Sequence, residues 1–271
     1  MILKNKIILV TGSSSGIGRV IAEEALKEGA TVFLHGLREQ LVEKAISELS
    51  EQYGKDRVAG LAGDIAEPDF PKLLIDTCLN TFGSLHGLVN NAGISPRHNI
   101  DNATASDFDY VMSINLRAPM LMVQAAMDSF REQGSGSVVN IGSINAHCGQ
   151  PDLLIYSTSK GGLQTLTRNL GDALGPEKIR VNQLNVGWTL TENEHNLQLA
   201  EGNPEDWLDH LSPISAPSGT ILRPEQVANH VVFWLSDKSV PVSGTILEVE
   251  QYPLIGRNRV TGGQDSEIDS I

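Results

Sequence analysis

The sequence predicts an α/β protein in which a doubly wound parallel sheet of about seven strands carries helices on both faces. Three observations predict it: short apolar runs, longer segments of helical period between them, and a glycine-rich turn joining the first run to the first helix. Strands buried on both faces read as near-continuous apolar runs, and parallel neighbours need crossover helices, so the alternation itself selects this architecture.

The runs fall at residues 7–10, 31–34, 58–61, 88–89, 138–141, 181–184 and 246–249. After the first of them Ile17, Ile21 and Ala25 recur every fourth residue, and helical period returns at 73–82, 108–130, 156–174 and 224–235. Two stretches break the rhythm. Residues 190–223 are polar, rich in Pro, Ser, Asn and acidic side chains, with a short amphipathic piece around Trp207 and Leu211. So long an insertion in a compact domain predicts a functional, substrate-binding loop. Residues 252–271 lose apolar period and predict a tail that is disordered or docks on a neighbour. Residues 1–251 are then one dinucleotide-binding and catalytic domain, because a chain of 271 residues lies within what a single α/β sheet fills.

Composition removes several classes of partner. The chain carries 20 basic against 33 acidic residues, a net charge of -13, with no basic run, which argues against nucleic acid and anionic membrane. Cys78 and Cys148 are far apart and lack metal-ligand spacing, which suits a reducing cytosol; both read as small buried residues. No stretch approaches the ~20 apolar residues of a membrane span. Residues 1–6 pass straight into a strand and leave no room for a signal peptide, so a cytoplasmic location is expected.

The first strand runs into Thr11-Gly12-Ser13-Ser14-Ser15-Gly16-Ile17-Gly18 and then a helix. Glycines let backbone approach a pyrophosphate, and the free N–H groups and dipole of a helix start favour its charge. Gly12, Ser14, Ser15, Gly16, Ile17 and Gly18 are therefore candidate dinucleotide-binding residues of a Rossmann-like sheet. The spacing Gly-x-x-x-Gly-x-Gly differs from the commoner fingerprint and lacks a P-loop lysine; a turn that only packs helix on strand is the alternative. At the second strand's end no acid stands at Gly36 to bond a ribose, while Arg38 is placed to meet a 2′-phosphate. NADP(H) is favoured over NAD(H) on that ground, with Glu39 reversing the choice if the register slips.

Tyr156 and Lys160 share one face of a helix at i, i+4 spacing. A phenol titrates near ~10 and becomes a useful base only where a cation stabilises its anion, which Lys160 can supply. Ser143 follows the fifth strand at the carboxyl end of the sheet, thirteen positions before Tyr156, where open α/β proteins bind ligands. Asn90, Asn91, Ala92 and Gly93 follow the fourth strand at the same end, and Asn115 is a poor helix former inside a predicted helix.

These motifs, from Thr11 to Gly18 through Asp64, Asn90 to Gly93, Asn115 and Ser143 to Tyr156 with Lys160, resemble the short-chain dehydrogenase/reductase family in order and spacing from about residue 5 to 250. The resemblance implies an oxidoreductase in which Tyr156 is general acid and base, and Lys160 lowers its pKa and bonds the nicotinamide ribose. It implies that Ser143 orients the substrate oxygen and that Asn115 anchors a water beside Lys160. Asp64, with Ile65 beside it, would contact the adenine, and Asn91, Ala92 and Gly93 the adenosine ribose. Gly187, Thr189 and Thr191 would lie along the nicotinamide. No metal is implied. Two departures stand out: Val186 replaces the family's usual Pro, and Glu250-Gln251-Tyr252 replaces Asp-Gly-Gly. A homo-oligomer, dimer or tetramer, is implied by the family alone.

Specificity is expected in residues 190–223 and in Asn145, His147 and Gln150 near Ser143, with Trp188 either walling the pocket or filling the core beside it. These polar groups favour a small polyhydroxylated substrate: a sugar, polyol or aldonate. The rivals are a 3-oxoacyl-acyl-carrier-protein reductase, disfavoured by the acidic net charge, and a cofactor-binding regulator that lost turnover. Glu192, Glu194 and His195 carry metal-ligand chemistry, yet without a second cluster a solvated loop is the better reading.

Overall fold

The computed structural model describes residues 1–147 and 149–252. The expected tail beyond Tyr252, and Cys148, lie outside the described residues. In chain order the elements are β1 (Ile7–Val10), α1 (Gly16–Lys27), β2 (Thr31–Gly36), α2 (Glu39–Tyr53), β3 (Val58–Ala62), α3 (Phe70–Phe82) and β4 (Gly87–Asn90). There follow α4 (Ala105–Met112), a π-helical turn (Ser113–Arg117), α5 (Ala118–Gln133), β5 (Gly136–Ser143), α6 (Leu154–Ala173) and β6 (Ile179–Val186). The last are α7 (Glu192–Ala200), α8 (Pro224–Leu235) and β7 (Ile246–Val249).

All strand pairs are parallel, in the order β3-β2-β1-β4-β5-β6-β7. The order reverses between β1 and β4, and that reversal opens a crevice at the carboxyl ends. Alternate residues feed two cores. Ile8 and Val10 join Val32, Leu34 and Val139 under α1 and α8, whereas Leu9 and Phe33 join Leu88 and Val138 under α3 and α5.

Beneath the crevice runs a row of buried amides. Asn90 Nδ2 donates to Asn140 Oδ1 at 2.9 Å, Asn140 Nδ2 to the Thr167 hydroxyl at 2.8 Å, and Gln183 Nε2 to Asn185 Oδ1 at 2.7 Å. The Thr167 hydroxyl lies 2.8 Å from Gln183 Oε1 and joins the two halves. Asn90 and Asn185 lie just past the apolar runs 88–89 and 181–184 and still belong to buried strands, so those runs end short of β4 and β6.

Two helices go beyond the sequence expectation. In α2 Val42, Ala45 and Leu49 are buried at i, i+3 and i+7, one stripe of helical spacing, whereas α7 buries no residue and shows no such stripe. The insertion expected at 190–223 folds as a small lobe. Trp207, Ala216 and Ile221 form its small core, with Trp188, Leu190, Leu208 and Leu211 packed on it. Two backbone bonds close its neck, Leu190 N to Leu222 O at 2.7 Å and Leu222 N to Trp188 O at 2.9 Å.

Candidate active site

At the end of β1 the chain turns through Gly12 at φ +63°, where a Cβ would stand 2.9 Å from Ala92 Cα. A Cβ at Gly18 would overlap the Asn91 amide and the Gly12 carbonyl, so only glycine fits either place. The Thr11 hydroxyl accepts from Asn91 N at 2.9 Å and Ala92 N at 3.0 Å, and Asn91 Nδ2 donates back to Thr11 O and Gly12 O. The turn after β1 and the turn after β4 thus brace each other. Ser15 starts α1 with extended backbone and no side-chain cap, leaving the first-turn N–H groups of Gly16, Ile17 and Gly18 to an outside acceptor. Backbone donors at a helix start, with no Cβ in the way, fit a dinucleotide pyrophosphate.

His35 was not singled out in the sequence, yet it carries this turn. Its Nδ1 accepts from Gly12 N at 3.2 Å while Nε2 lies 3.1 Å from Gly63 O, which places the proton on Nε2. Burial takes its pKa down to about 4 and keeps the ring neutral. A histidine inside an otherwise apolar strand was the available signal. Ser14 packs on Gly36, where a Cβ would lie 2.5 Å from the serine hydroxyl. Arg38 is exposed at the start of α2, and Asp64 Oδ1 accepts from Ala66 N at 2.8 Å beyond β3, with Ile65 buried beside it.

Tyr156 sits in the first turn of α6, half-buried, and Lys160 one turn later is 5 % exposed. The Lys160 ammonium lies 5.7 Å from the Tyr156 ring centre and donates to Ile141 O at 2.8 Å. Ser143 closes β5, its hydroxyl accepting from Asn145 N at 3.2 Å. Burial pushes the phenol up, a hydrogen bond with Ser143 draws it down, and burial takes Lys160 down to about 8. Asn115 lies in the π-helical turn, a feature frequent at functional sites. Its side chain clamps the Ile94 backbone, Oδ1 accepting from Ile94 N and Nδ2 donating to Ile94 O, each at 2.9 Å. Nδ2 also reaches the Ser159 hydroxyl at 3.0 Å, and that hydroxyl donates to Tyr156 O at 2.7 Å. A Cβ at Gly93 would touch both Asn115 Oδ1 at 3.3 Å and Lys160 Nζ at 3.4 Å, so these groups meet over a glycine.

Comparison with known proteins shows the family. The short chain dehydrogenase family model matches residues 6–202. The chain belongs to the short-chain dehydrogenase/reductase family. It is 33% identical over 250 residues to a 3alpha-hydroxysteroid dehydrogenase of Mediterraneibacter gnavus, covering 92% of this chain and 97% of that one. An L-rhamnose 1-dehydrogenase (NAD(P)(+)) of Sphingomonas sp. is 32% identical over 251 residues, covering 92% and 96%. The crystal structure of L-sorbose reductase from Gluconobacter frateurii, complexed with NADPH and L-sorbose, superposes with a TM-score of 0.88 at 28% identity, covering 94% of this chain and 98% of that one.

In this short-chain dehydrogenase/reductase a cleft of about 570 Å³ opens beside the Tyr156 phenol. It brings together Ile17, Asn91, Gly93, Ser143, Asn145, Gln150, Tyr156, Lys160, Gly187, Trp188, Thr189 and Thr191. Gly12, Ser14, Ser15, Gly16, Gly18, Arg38, Asp64, Ile65 and Ala92 do not line it; they lie on the turn and at the strand ends of β1 to β4. His147 is not among the cleft's residues; it follows the turn at Ile144–Ala146, and its Nε2 lies 2.9 Å from Glu248 and 3.2 Å from Asn185. Trp188 does both things left open for it: it lines the cleft and stacks on Trp207 with ring centres 5.5 Å apart.

The two departures from the family pattern sit against each other. Glu250 Oε2 accepts from Trp188 N at 3.3 Å, and a Cβ at Gly187 would run into that carboxylate. Glu250 therefore fixes the loop that Val186, in place of proline, leaves free at φ. The cleft also contains Ser95 and Arg97, which the sequence does not single out because tertiary folding alone brings them to it, and Glu194, Leu197, Gln198 and Ser215 from the 190–223 segment.

Proposed function

We propose that the protein transfers a hydride between a nicotinamide dinucleotide and a secondary alcohol or ketone of a sugar, polyol or aldonate. The observation that carries this reading is the convergence of the Tyr156 phenol, the buried Lys160 ammonium and the Ser143 hydroxyl on one cleft beside the turn at Gly12. The bound dinucleotide supplies or accepts the hydride at the carbonyl carbon. The chain's own residues handle the oxygen. Tyr156 gives its hydroxyl proton to the oxygen as a ketone is reduced and takes it back as an alcohol is oxidised; Ser143 holds the same oxygen and stabilises its developing charge. Lys160 provides the cation that makes the phenolate accessible, and Asn115 holds the Ile94 loop that borders both. Gly12, Ser14, Ser15, Gly16, Ile17, Gly18, Asp64, Ile65, Asn91, Ala92, Gly93, Gly187, Thr189 and Thr191 are assigned to the dinucleotide.

Arg38, exposed past β2 with no acid at Gly36, supports NADP(H) over NAD(H), and the NADPH in the sorbose reductase agrees with it. Asn145, Gln150 and Trp188 are assigned to the substrate. The test follows NADPH and NADH absorbance in parallel against a panel of sugars, polyols, aldonates and keto compounds. Turnover with NADPH is expected; a strong NADH preference contradicts the role given to Arg38.

A further inference from the structure

We infer that Glu194 is the specificity-determining residue of the substrate cleft and that it selects uncharged polyhydroxylated substrates, sugars or polyols, over carboxylate-bearing ones. This rests on the oxidoreductase reading above and narrows its substrate class.

The first argument is position. Glu194, in α7, lines the same cleft as Tyr156, Ser143 and Trp188. The second is preorganisation. Its Oε1 accepts from Trp188 Nε1 at 2.7 Å and from Gln198 Nε2 at 2.9 Å. Trp188 is itself locked by stacking on Trp207, whose indole N–H donates to His195 at 3.0 Å. A half-buried carboxylate is therefore held on a rigid aromatic wall, and both donors fall on the same oxygen. Among the described residues no hydrogen bond is made to Oε2, which leaves the acceptor positions of an ionised oxygen for a ligand. Hydroxyl groups donating to a carboxylate form charge-assisted bonds, roughly twice as strong as neutral ones.

The third argument is charge. Besides Lys160, at the base of the cleft, the lining includes one further cation, Arg97. That guanidinium is already matched, 3.0 Å from Asp152 and 2.9 Å from Glu201. An aldonate would thus bring its own carboxylate to a wall whose negative charge has no spare cation. A steroid or acyl chain would lay apolar carbon on Glu194 and strip water from an ion without replacing its hydrogen bonds. A neutral polyol does neither.

The experiment compares wild type, E194Q and E194A on three matched sets: polyols and sugars, the aldonates of the same configuration, and an apolar secondary alcohol. Gln keeps an oxygen for Trp188 and Gln198, so E194Q preserves the wall while it removes the charge and puts an amide donor in place of the Oε2 acceptor. The expected result for wild type is kcat/KM for a polyol or sugar about tenfold or more above the matching aldonate. E194Q is expected to raise the polyol KM about tenfold with kcat changed less than about threefold, to narrow the polyol-to-aldonate ratio, and to leave dinucleotide Kd unchanged. Polyol turnover that E194Q and E194A leave intact, or a wild-type preference for aldonates, overturns the role of Glu194 while the oxidoreductase reading stands. Turnover of the apolar alcohol alone, or of nothing in the panel, overturns the proposed function and this inference with it.

Discussion

Burial acts on Lys160 against the charge that its proposed role needs. Its pKa falls from 10.5 to about 8, so at neutral pH the folded protein holds an ammonium that it disfavours. A folded pKa below the unfolded one means that this penalty is fully present below about 8 and is relieved as pH rises toward 10.5. K160M removes the buried charge and loses the bond to Ile141 O, and is predicted to stabilise the protein by roughly 1–3 kcal/mol at pH 7 while abolishing turnover. Chemical denaturation beside a turnover assay checks both halves. His35 has the same sign of shift with a different consequence. With its pKa lowered from 6.5 to about 4, the unfolded chain takes up the proton first as pH falls. Stability is predicted to decline by roughly 3 kcal/mol through that window and then to level off, and H35N, which does not titrate, is predicted to flatten that part of the curve. Urea midpoints measured from pH 7 to pH 4 decide it.

At the scale of elements, the region from Trp188 to Leu222 is a satellite lobe clamped at its neck rather than a loose insertion. Its core is small, so its order depends on few contacts, and local stability follows local burial. W207A removes the ring that stacks on Trp188 at 5.5 Å and the donor to His195 at 3.0 Å. It is predicted to raise substrate KM about tenfold or more and to weaken dinucleotide Kd less, since Thr189 and Thr191 are the only proposed dinucleotide residues in the lobe. Isothermal titration with the dinucleotide and steady-state kinetics separate the two. Unchanged KM contradicts the lobe's part in substrate binding.

At the scale of the whole molecule, the parallel sheet was legible because strands buried on both faces announce themselves as apolar runs, as at Ile8, Leu9 and Val10. Its true strand ends were not, since Asn90 and Asn185, just past the apolar runs, are buried for hydrogen bonds to Asn140, Gln183 and Gln164 that only the folded chain supplies. Helix α2 carries a legible stripe in Val42, Ala45 and Leu49 at i, i+3 and i+7, whereas α7 buries no residue and offers none. The site divides the same way. Tyr156, Lys160 and Ser143 stand out because their spacing maps onto one helix face and one strand end. His35 and Arg97 could not be found by spacing, because each acts through a partner distant in sequence, Gly12 for the first and Glu201 for the second, whereas Glu194 meets Trp188 within its own segment. His147 shows the converse, a polar residue near Ser143 in sequence that a turn directs to Glu248.

The central claim is that the Tyr156 hydroxyl moves the proton. Y156F removes that hydroxyl and nothing else, so the most direct measurement is single-turnover hydride transfer in wild type and Y156F, followed by nicotinamide absorbance with dinucleotide Kd measured on the same samples. The account predicts a rate lowered by about a thousandfold or more with Kd unchanged; a Y156F rate within about threefold of wild type contradicts it.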